Sequence, residues 1–182
     1  MLDVEFDAVV VAGGGGRRLG GVDKAMVVLE GVTFLDRVLR AVANAQQTVV
    51  VGPVRSTYRE VEWTQEDPPG GGPVAGLAAG LQHGQAPTVV VLSCDLPWVT
   101  AADVTRLLST IDQYDGCGLR DSDGREQWLA AAYKRTALTA AIQRLGDPRN
   151  QSVRRLTADL DLFWTEPNHA GDDVDTWADL DD

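Results

Sequence analysis

The sequence contains few of the residues that bind transition metals or form disulfides. Its 182 residues include two cysteines, Cys94 and Cys117, and two histidines, His83 and His169. Both cysteines lie in or beside apolar runs, and neither belongs to a Cys-x-x-Cys pair, which is typical of buried free thiols. We therefore expect no disulfide and no transition-metal site built from these four residues.

The sequence also lacks long apolar runs and an excess of positive charge. Its longest apolar runs, such as residues 8–12 and 89–92, are far too short to span a bilayer. The acidic start at residues 1–5 does not resemble a signal peptide. The formal net charge is −11, which argues against a broad surface for nucleic acid or an anionic membrane. We expect a cytoplasmic protein with neither partner, although a local cluster of cations can still bind a small phosphate ligand.

Apolar runs and helical periodicities alternate along the first half of the chain, which indicates an α/β fold. The runs are too uniformly apolar to be exposed on one face, so they favour a mostly parallel central sheet covered by helices on both faces. The spacing predicts a helix that begins near Phe34. It also predicts strands at 6–11, 48–51, 61–63 and 88–92, and helices at 75–81 and 101–111.

The second half of the chain is less regular. Residues 116–120 and 127–133 flank an Asp-Gly turn at 121–124, which predicts a small β-ribbon. Helices at 136–145 and 152–158, a short strand at 162–164 and a terminal helix from Asp175 complete the prediction. The sequence contains no internal repeat and no linker. Its length fits one domain spanning 1–182.

The first strand leads into a loop that combines glycines with positive charge. Residues 9–25 read VVVAGGGGRRLGGVDKA. The spacing excludes a P-loop, because Gly21 is not followed by Lys-Ser/Thr, and it excludes the dinucleotide fingerprint, because Leu19 occupies the third glycine position. Backbone amides of glycines can surround an anion, Arg18 can bind phosphate oxygens bidentately, and Lys24 adds a compact charge. The loop therefore predicts a polyphosphate site, with Gly13, Gly14 and Gly16 bringing amides to the ligand; a mobile loop with solvated arginines is the alternative.

Two further segments follow strands and should reach the same edge of the sheet. Residues 67–76 contain Asp67, a candidate hydrogen-bond acceptor, and glycines, including Gly76, that let a flat base approach the backbone. A turn with Pro73 at a helix start explains this segment equally well.

Asp95 follows the strand at 88–92 and must meet a cation, a helix terminus or a metal. Since Thr100 is the better cap for the next helix, we favour Asp95 as a Mg²⁺ ligand.

Taken together, these motifs resemble those of the molybdenum cofactor guanylyltransferases and related nucleotidyltransferases. The matching stretches are residues 11–24, 72–76, 94–97 and 173–176, which occur in the family's order and cover nearly the whole chain. The resemblance implies a Rossmann-like three-layer α/β/α nucleotidyltransferase fold with a nucleotide-binding half at about 1–100 and an acceptor-binding half at about 101–182. It also implies that GMP is transferred from GTP to the phosphate of molybdopterin, with Mg²⁺ as cofactor and pyrophosphate released.

The resemblance also assigns roles to individual residues. Arg18 and Lys24 would hold the phosphates, Asp67 would contact base or ribose, and Asp95 would bind Mg²⁺. Asp175 matches a second position on the metal side, although an acidic helix start explains it equally well from the sequence alone. The nucleotide would be contacted by Val11, Ala12 and Gly13. Transient contacts with other proteins of cofactor biosynthesis would also be expected.

Other functions remain compatible with the sequence. The Asp-Val-Asp form at 173–175 is similar to that of cytidylyltransferases, so CTP or another phosphorylated acceptor is an alternative. A non-catalytic nucleotide-binding relative is a second alternative, although it would be free to lose Arg18, Lys24 and Asp95, which are all present. A sugar-1-phosphate nucleotidyltransferase shares the glycine loop but usually has a larger second half, so this alternative ranks lower.

Overall fold

The computed structural model describes residues 4–13 and 21–180. In the described residues, the strands are β1 Phe6–Val11, β2 Val28–Leu29, β3 Val32–Thr33, β4 Thr48–Val51, β5 Glu62–Thr64, β6 Thr88–Ser93, β7 Gly116–Arg120, β8 Glu126–Lys134 and β9 Leu162–Pro167. The α-helices are α1 Phe34–Ala41, α2 Pro73–Gly80, α3 Ala101–Leu108, α4 Arg135–Leu145 and α5 Val153–Leu156. Short 3₁₀ turns cover Lys24–Met26, His169–Gly171 and Trp177–Leu180.

A seven-stranded sheet forms the centre of the molecule, in the order β5-β4-β1-β6-β8-β7-β9. Strands β5, β4, β1 and β6 are paired in parallel, and β9 is parallel to β7. Within the described part of the chain, β8 alone opposes this direction, since it pairs antiparallel with both β6 and β7. The expected mostly parallel sheet is confirmed.

Helices cover both faces of the sheet, as uniformly apolar strands require. Neighbouring strand residues point to opposite faces, and Val9 and Val10 accordingly belong to different clusters. The cluster on one face contains residues of α1 and α3, such as Leu39 and Leu107. The cluster on the other contains residues of α2, α4 and α5, including Leu77. The molecule therefore has the expected α/β/α layers.

The second half completes the sheet. The predicted hairpin is present as β7 and β8, which join the central sheet because β8 also pairs with β6. A separate two-stranded antiparallel sheet, which the sequence did not predict, forms from β2 and β3. The terminal helix expected from Asp175 is a 3₁₀ turn at Trp177–Leu180. No helix among the described residues is both long enough and apolar enough to cross a membrane.

Candidate active site

The carboxyl ends of β1, β4 and β6 meet at one edge of the sheet. Beyond the strands, the amide of Ala12 donates to the carbonyl of Val51 at 2.8 Å, and the amide of Cys94 donates to the carbonyl of Val11 at 3.0 Å. These bonds extend the parallel pairing past the strand ends. They bring the segments after the three strands together around a cavity of about 240 Å³.

Lys24 enters this cavity from the 3₁₀ turn at Lys24–Met26. Asp23 caps the turn by accepting from the amide of Ala25 at 3.2 Å. The same carboxylate accepts from Nε of Arg55 at 2.6 Å, and Arg55 also donates to the carbonyl of Pro53 at 3.1 Å. Arg55 therefore connects the turn that carries Lys24 to the loop that follows β4.

Three carboxylates form a cluster beside Lys24, at one side of the cavity. One oxygen from each of Asp95, Asp173 and Asp175 can be chosen so that all lie within 4.8 Å of one another. The amide of Val174 donates to the carbonyl of Asp95 at 3.0 Å, and the Val174 side chain is fully buried. Asp173 and Asp175 flank this buried residue, and a carboxylate oxygen of each reaches the neighbourhood of Asp95.

Lys24 is paired with two of these carboxylates. Its Nζ lies 2.5 Å from Oδ1 of Asp175 and 3.5 Å from Oδ2 of Asp95. Burial opposes the charge of Lys24, but the hydrogen bonds and charges of Asp175 and Asp95 outweigh burial and raise the pKa of Lys24 above its ordinary value. Burial, followed by the charges of Asp95 and Asp175, raises the pKa of Asp173. Among the residues that the structure describes, this cluster pairs one cation with three carboxylates, which leaves an excess of negative charge.

The donor set suits a hard divalent cation. Mg²⁺ prefers oxygen ligands and is commonly held by one or two carboxylates together with substrate phosphates. Asp95, Asp173 and Asp175 offer carboxylate oxygens close enough together to share one ion. The residues present therefore fit Mg²⁺, and the metal-binding roles expected for Asp95 and Asp175 stay predictions.

The loop after β5 forms the far wall of the cavity. Glu66, Gly72, Pro73 and Gly76 line it, together with Val51 at the end of β4. Asp67, the carboxylate chosen from the sequence, is exposed and is not among the residues that line the cavity. The residue before it, Glu66, faces the cavity instead.

A second cavity, of about 350 Å³, adjoins the first and shares Pro73, Ser93, Asp95 and Leu129 with it. Its other walls come from β8 and the start of α5 and include Gln127, Trp128, Ser152 and Arg154. The guanidinium carbon of Arg154 lies 5.9 Å from the centre of the Trp128 ring. Asp173 lines this cavity and also a third one, of about 380 Å³, which is strongly acidic.

The structure brings most of the predicted site residues together. Val11, Ala12, Gly13, Lys24, Gly76 and Asp95 all line the first cavity, and Asp175 belongs to the adjoining carboxylate cluster. Gly14, Gly16 and Arg18 lie outside the described residues. Of the predicted set within the described ranges, Asp67 is therefore the one that the structure separates from the site.

The family model for the MobA-like NTP transferase domain matches residues 8–163 of the chain. The chain belongs to this family. It is therefore a nucleotidyltransferase.

The similar curated proteins are named molybdenum cofactor guanylyltransferases. The chain is 25% identical over 173 residues to a molybdenum cofactor guanylyltransferase from Shewanella frigidimarina, covering 90% of this chain and 88% of the relative. It is 30% identical over 151 residues to one from Shewanella sp. (strain ANA-3), covering 78% and 77%. These matches support a nucleotidyltransferase of molybdenum cofactor biosynthesis.

Solved structures with this fold include a protein of molybdopterin-guanine dinucleotide biosynthesis and a cytidylyltransferase. Molybdopterin-guanine dinucleotide biosynthesis protein A from Archaeoglobus fulgidus superposes with a TM-score of 0.73 at 23% identity, covering 96% of this chain and 95% of that one. 2-C-methyl-D-erythritol 4-phosphate cytidylyltransferase from Thermus thermophilus superposes with a TM-score of 0.72 at 18% identity, covering 97% and 95%. These likenesses confirm the nucleotidyltransferase fold.

Three residues of the MobA-like site were not chosen from the sequence. Asp173 was quoted in its motif without a role, although two aspartates that flank a valine in an extended segment must share a side. Arg55 lies in an irregular loop, and no motif marks it. Glu66 and Asp67 are adjacent carboxylates, so only the course of the backbone decides which one faces the cavity.

Proposed function

We propose that the protein transfers GMP from GTP to the phosphate of molybdopterin, with Mg²⁺ as cofactor and pyrophosphate as leaving group. The observation that carries this proposal is that Lys24 and Asp95 line a cavity together with Val11, Gly13 and Gly76, and that Asp173 and Asp175 cluster with Asp95. The names of the relatives support the guanylyl donor and the molybdopterin acceptor.

The proposed reaction is an in-line displacement at the α-phosphorus. An oxygen of the acceptor phosphate forms a bond to the α-phosphorus of GTP, and the bond from that phosphorus to the α,β-bridging oxygen breaks. Pyrophosphate leaves with the electron pair of the broken bond. Such a reaction requires positioning and offset of negative charge from the protein, and no covalent intermediate.

The described residues fit those requirements. Lys24 stays protonated because its pKa is raised by the carboxylates around it, so it can hold a phosphate oxygen through its ammonium. Asp95, Asp173 and Asp175 would hold Mg²⁺, which would offset charge on the phosphates when bound. Ala12 and Gly13 line the cavity just past the end of β1, where nucleotides bind in open parallel sheets.

The second cavity is the proposed acceptor site. Among the residues that line it, Arg154 is the one cation, and Trp128 offers an aromatic surface suited to a flat pterin. The second cavity has Asp95 and Asp173 beside Arg154, whereas the third has Arg125 and His169 against five carboxylates, those of Asp121, Asp123, Asp172, Asp173 and Asp179. A phosphorylated acceptor would be repelled there, so the electrostatics favour the cavity beside Arg154.

Thermal unfolding with Mg²⁺ and each nucleoside triphosphate tests the donor. Saturating GTP is expected to raise Tm by several degrees, because a ligand at roughly 100 times its Kd stabilises the folded state by about 2.7 kcal/mol. Pyrophosphate release that requires GTP together with molybdopterin completes the test. A shift with CTP and none with GTP would replace the guanylyl donor with a cytidylyl one.

Asp95→Asn tests the carboxylate cluster. The substitution removes one charge at nearly constant shape, so pyrophosphate release is expected to fall by about 10²-fold or more. Asp159→Asn is the matched control, because Asp159 is exposed and lies away from the cavities. Unchanged turnover in Asp95→Asn would remove Asp95 from the reaction.

A further inference from the structure

One oxygen of the Glu66 carboxylate is fixed by the loop that follows it. Its Oε1 accepts from the amide of Gly70 at 3.0 Å and from the amide of Gly71 at 3.2 Å. Two hydrogen bonds to consecutive amides hold the carboxylate in one orientation. Because the backbone amides hold Oε1, they also fix the direction in which the second oxygen, Oε2, points.

The second oxygen points along the cavity wall toward α2. A Cβ placed on Gly76 would lie 3.7 Å from Oε2 of Glu66 and 3.1 Å from Cγ1 of Val51. Because Gly76 has no side chain, a narrow space is left between Glu66, Gly76 and Val51. All three residues line the first cavity, so the space is open to a ligand bound there.

The loop that fixes Glu66 is itself held by the second half of the chain. The guanidinium of Arg149 donates to the carbonyl of Pro68 at 2.7 Å. The amide of Asn150 donates to the carbonyl of Gly71 at 2.7 Å. These contacts lie on both sides of Gly70, so the two amides that bind Oε1 are preorganised.

We propose that Glu66 determines base selectivity by accepting hydrogen bonds from guanine through Oε2. This inference rests on the proposed function. Guanine presents two adjacent donors, N1–H and the 2-amino group, and the free oxygen of a carboxylate has two lone pairs with which to accept both. Hydrogen bonds to an ionised acceptor are stronger than neutral ones.

The same oxygen discriminates against the other bases. Cytosine presents a single donor, its 4-amino group, beside acceptors at N3 and O2, and those acceptors face a carboxylate unfavourably. Adenine likewise has its 6-amino donor beside the acceptor N1, and uracil has one donor between two carbonyls. A polar group that a bound ligand covers and leaves unpaired is a strong source of selectivity.

The test is calorimetric titration of wild type, Glu66→Gln, Asp67→Asn and Glu60→Gln with GTP, ITP and CTP in the presence of Mg²⁺. In Glu66→Gln the amide oxygen can keep the bonds from Gly70 and Gly71, which turns the amino group toward the base. The position of Oε2, which accepts hydrogen bonds in the wild type, is then occupied by an amino group that donates them. The ratio of GTP to CTP affinity is expected to fall at least tenfold, whereas Glu60→Gln, an exposed change of the same charge, should keep the wild-type ratio.

ITP provides a readout that needs no variant. It lacks the 2-amino group, so wild type is expected to bind it several-fold more weakly than GTP, and Glu66→Gln should lose this difference. A GTP preference that survives in Glu66→Gln would overturn the role of Glu66 while leaving the proposed guanylyl transfer intact. If Asp67→Asn loses the GTP preference and Glu66→Gln keeps it, base selectivity belongs to Asp67. A wild type that binds CTP and not GTP would overturn both proposals.

Discussion

At the scale of single residues, the site is organised by charge. Lys24 lies between Asp95 and Asp175, and Asp173 completes an acidic group of three carboxylates. Burial, together with the charges of Asp95 and Asp175, raises the pKa of Asp173, whereas the pKa of Lys24 is raised against the effect of burial by its bonds to Asp175 and Asp95. A bound divalent cation would offset the negative charge of the carboxylates. The cation and Lys24 together would offset the negative charge of the phosphates.

The two thiols are expected to be chemically inert in the folded protein. Burial, with a smaller contribution from the neighbouring Asp95, raises the pKa of Cys94 to about 12, and burial also raises the pKa of Cys117. Since the thiolate is the reactive form, iodoacetamide at roughly pH 8, near the ordinary thiol pKa, should label neither cysteine until the protein is unfolded in guanidinium. Mass spectrometry of the labelled chain measures this, and rapid modification of native Cys94 would contradict it.

At the scale of elements, the position of α2 depends on its glycines. Gly76 and Gly80 lie four residues apart, on the same side of the helix, and a Cβ on Gly80 would lie 2.6 Å from Cγ1 of Val9 and 3.0 Å from Cγ2 of Val51. The absence of these side chains lets α2 approach β1 and β4 closely. The close approach places the start of α2, with Pro73 and Gly76, at the cavity.

Gly80→Ala tests that packing. Alanine has the better helix propensity, but its methyl group would overlap buried valines, so the free energy of unfolding is expected to fall by about 1–3 kcal/mol. Ala79→Ser, on a half-buried part of the same helix, is the control and should cost about 0.5 kcal/mol. Urea denaturation measures both, and a stabilised Gly80→Ala would show that α2 is free to move away from the sheet.

At the scale of the whole molecule, a largely buried ion pair distant from the site joins the two halves of the chain. Asp7 on β1 accepts from Arg135 at the start of α4 at 2.6 Å, and their side chains are 5% and 15% exposed. Asp7 also accepts from the amides of Gln47 and Ala86, at 3.2 and 2.8 Å. Arg135 in turn donates to the carbonyls of Ala86 and Leu81.

Asp7→Ala is expected to be strongly destabilising. It leaves the guanidinium of Arg135 without its counter-charge and two amides without an acceptor, so the free energy of unfolding should fall by about 3–5 kcal/mol. Asp123→Ala is the control, because Asp123 pairs with Arg125 at an exposed position, and it should change stability by about 0.5 kcal/mol or less. Equal effects of the two substitutions in guanidinium denaturation would contradict the argument.

Much of this organisation follows from local sequence signals. The strands at β1, β4 and β6, the cap at Thr100 and the buried state of both thiols were all predicted correctly. The single domain over 1–182 and the phosphate-binding role of Arg18 stay predictions. The separate β2–β3 sheet and the insertion of β8 into the main sheet were missed, because strand pairing depends on partners distant in the chain.

By itself, the sequence determined the layered fold and the edge of the sheet where ligands meet the protein. Both follow from residue spacing, since apolar periodicity specifies elements, and polar segments after parallel strands converge at one edge. Only the tertiary structure decided that Asp173 joins Asp95 and Asp175, and that Glu66 rather than Asp67 faces the cavity. Those outcomes depend on contacts across the chain, such as Lys24 with Asp175, 151 residues apart, and Arg149 with Pro68, 81 residues apart, which no local pattern contains.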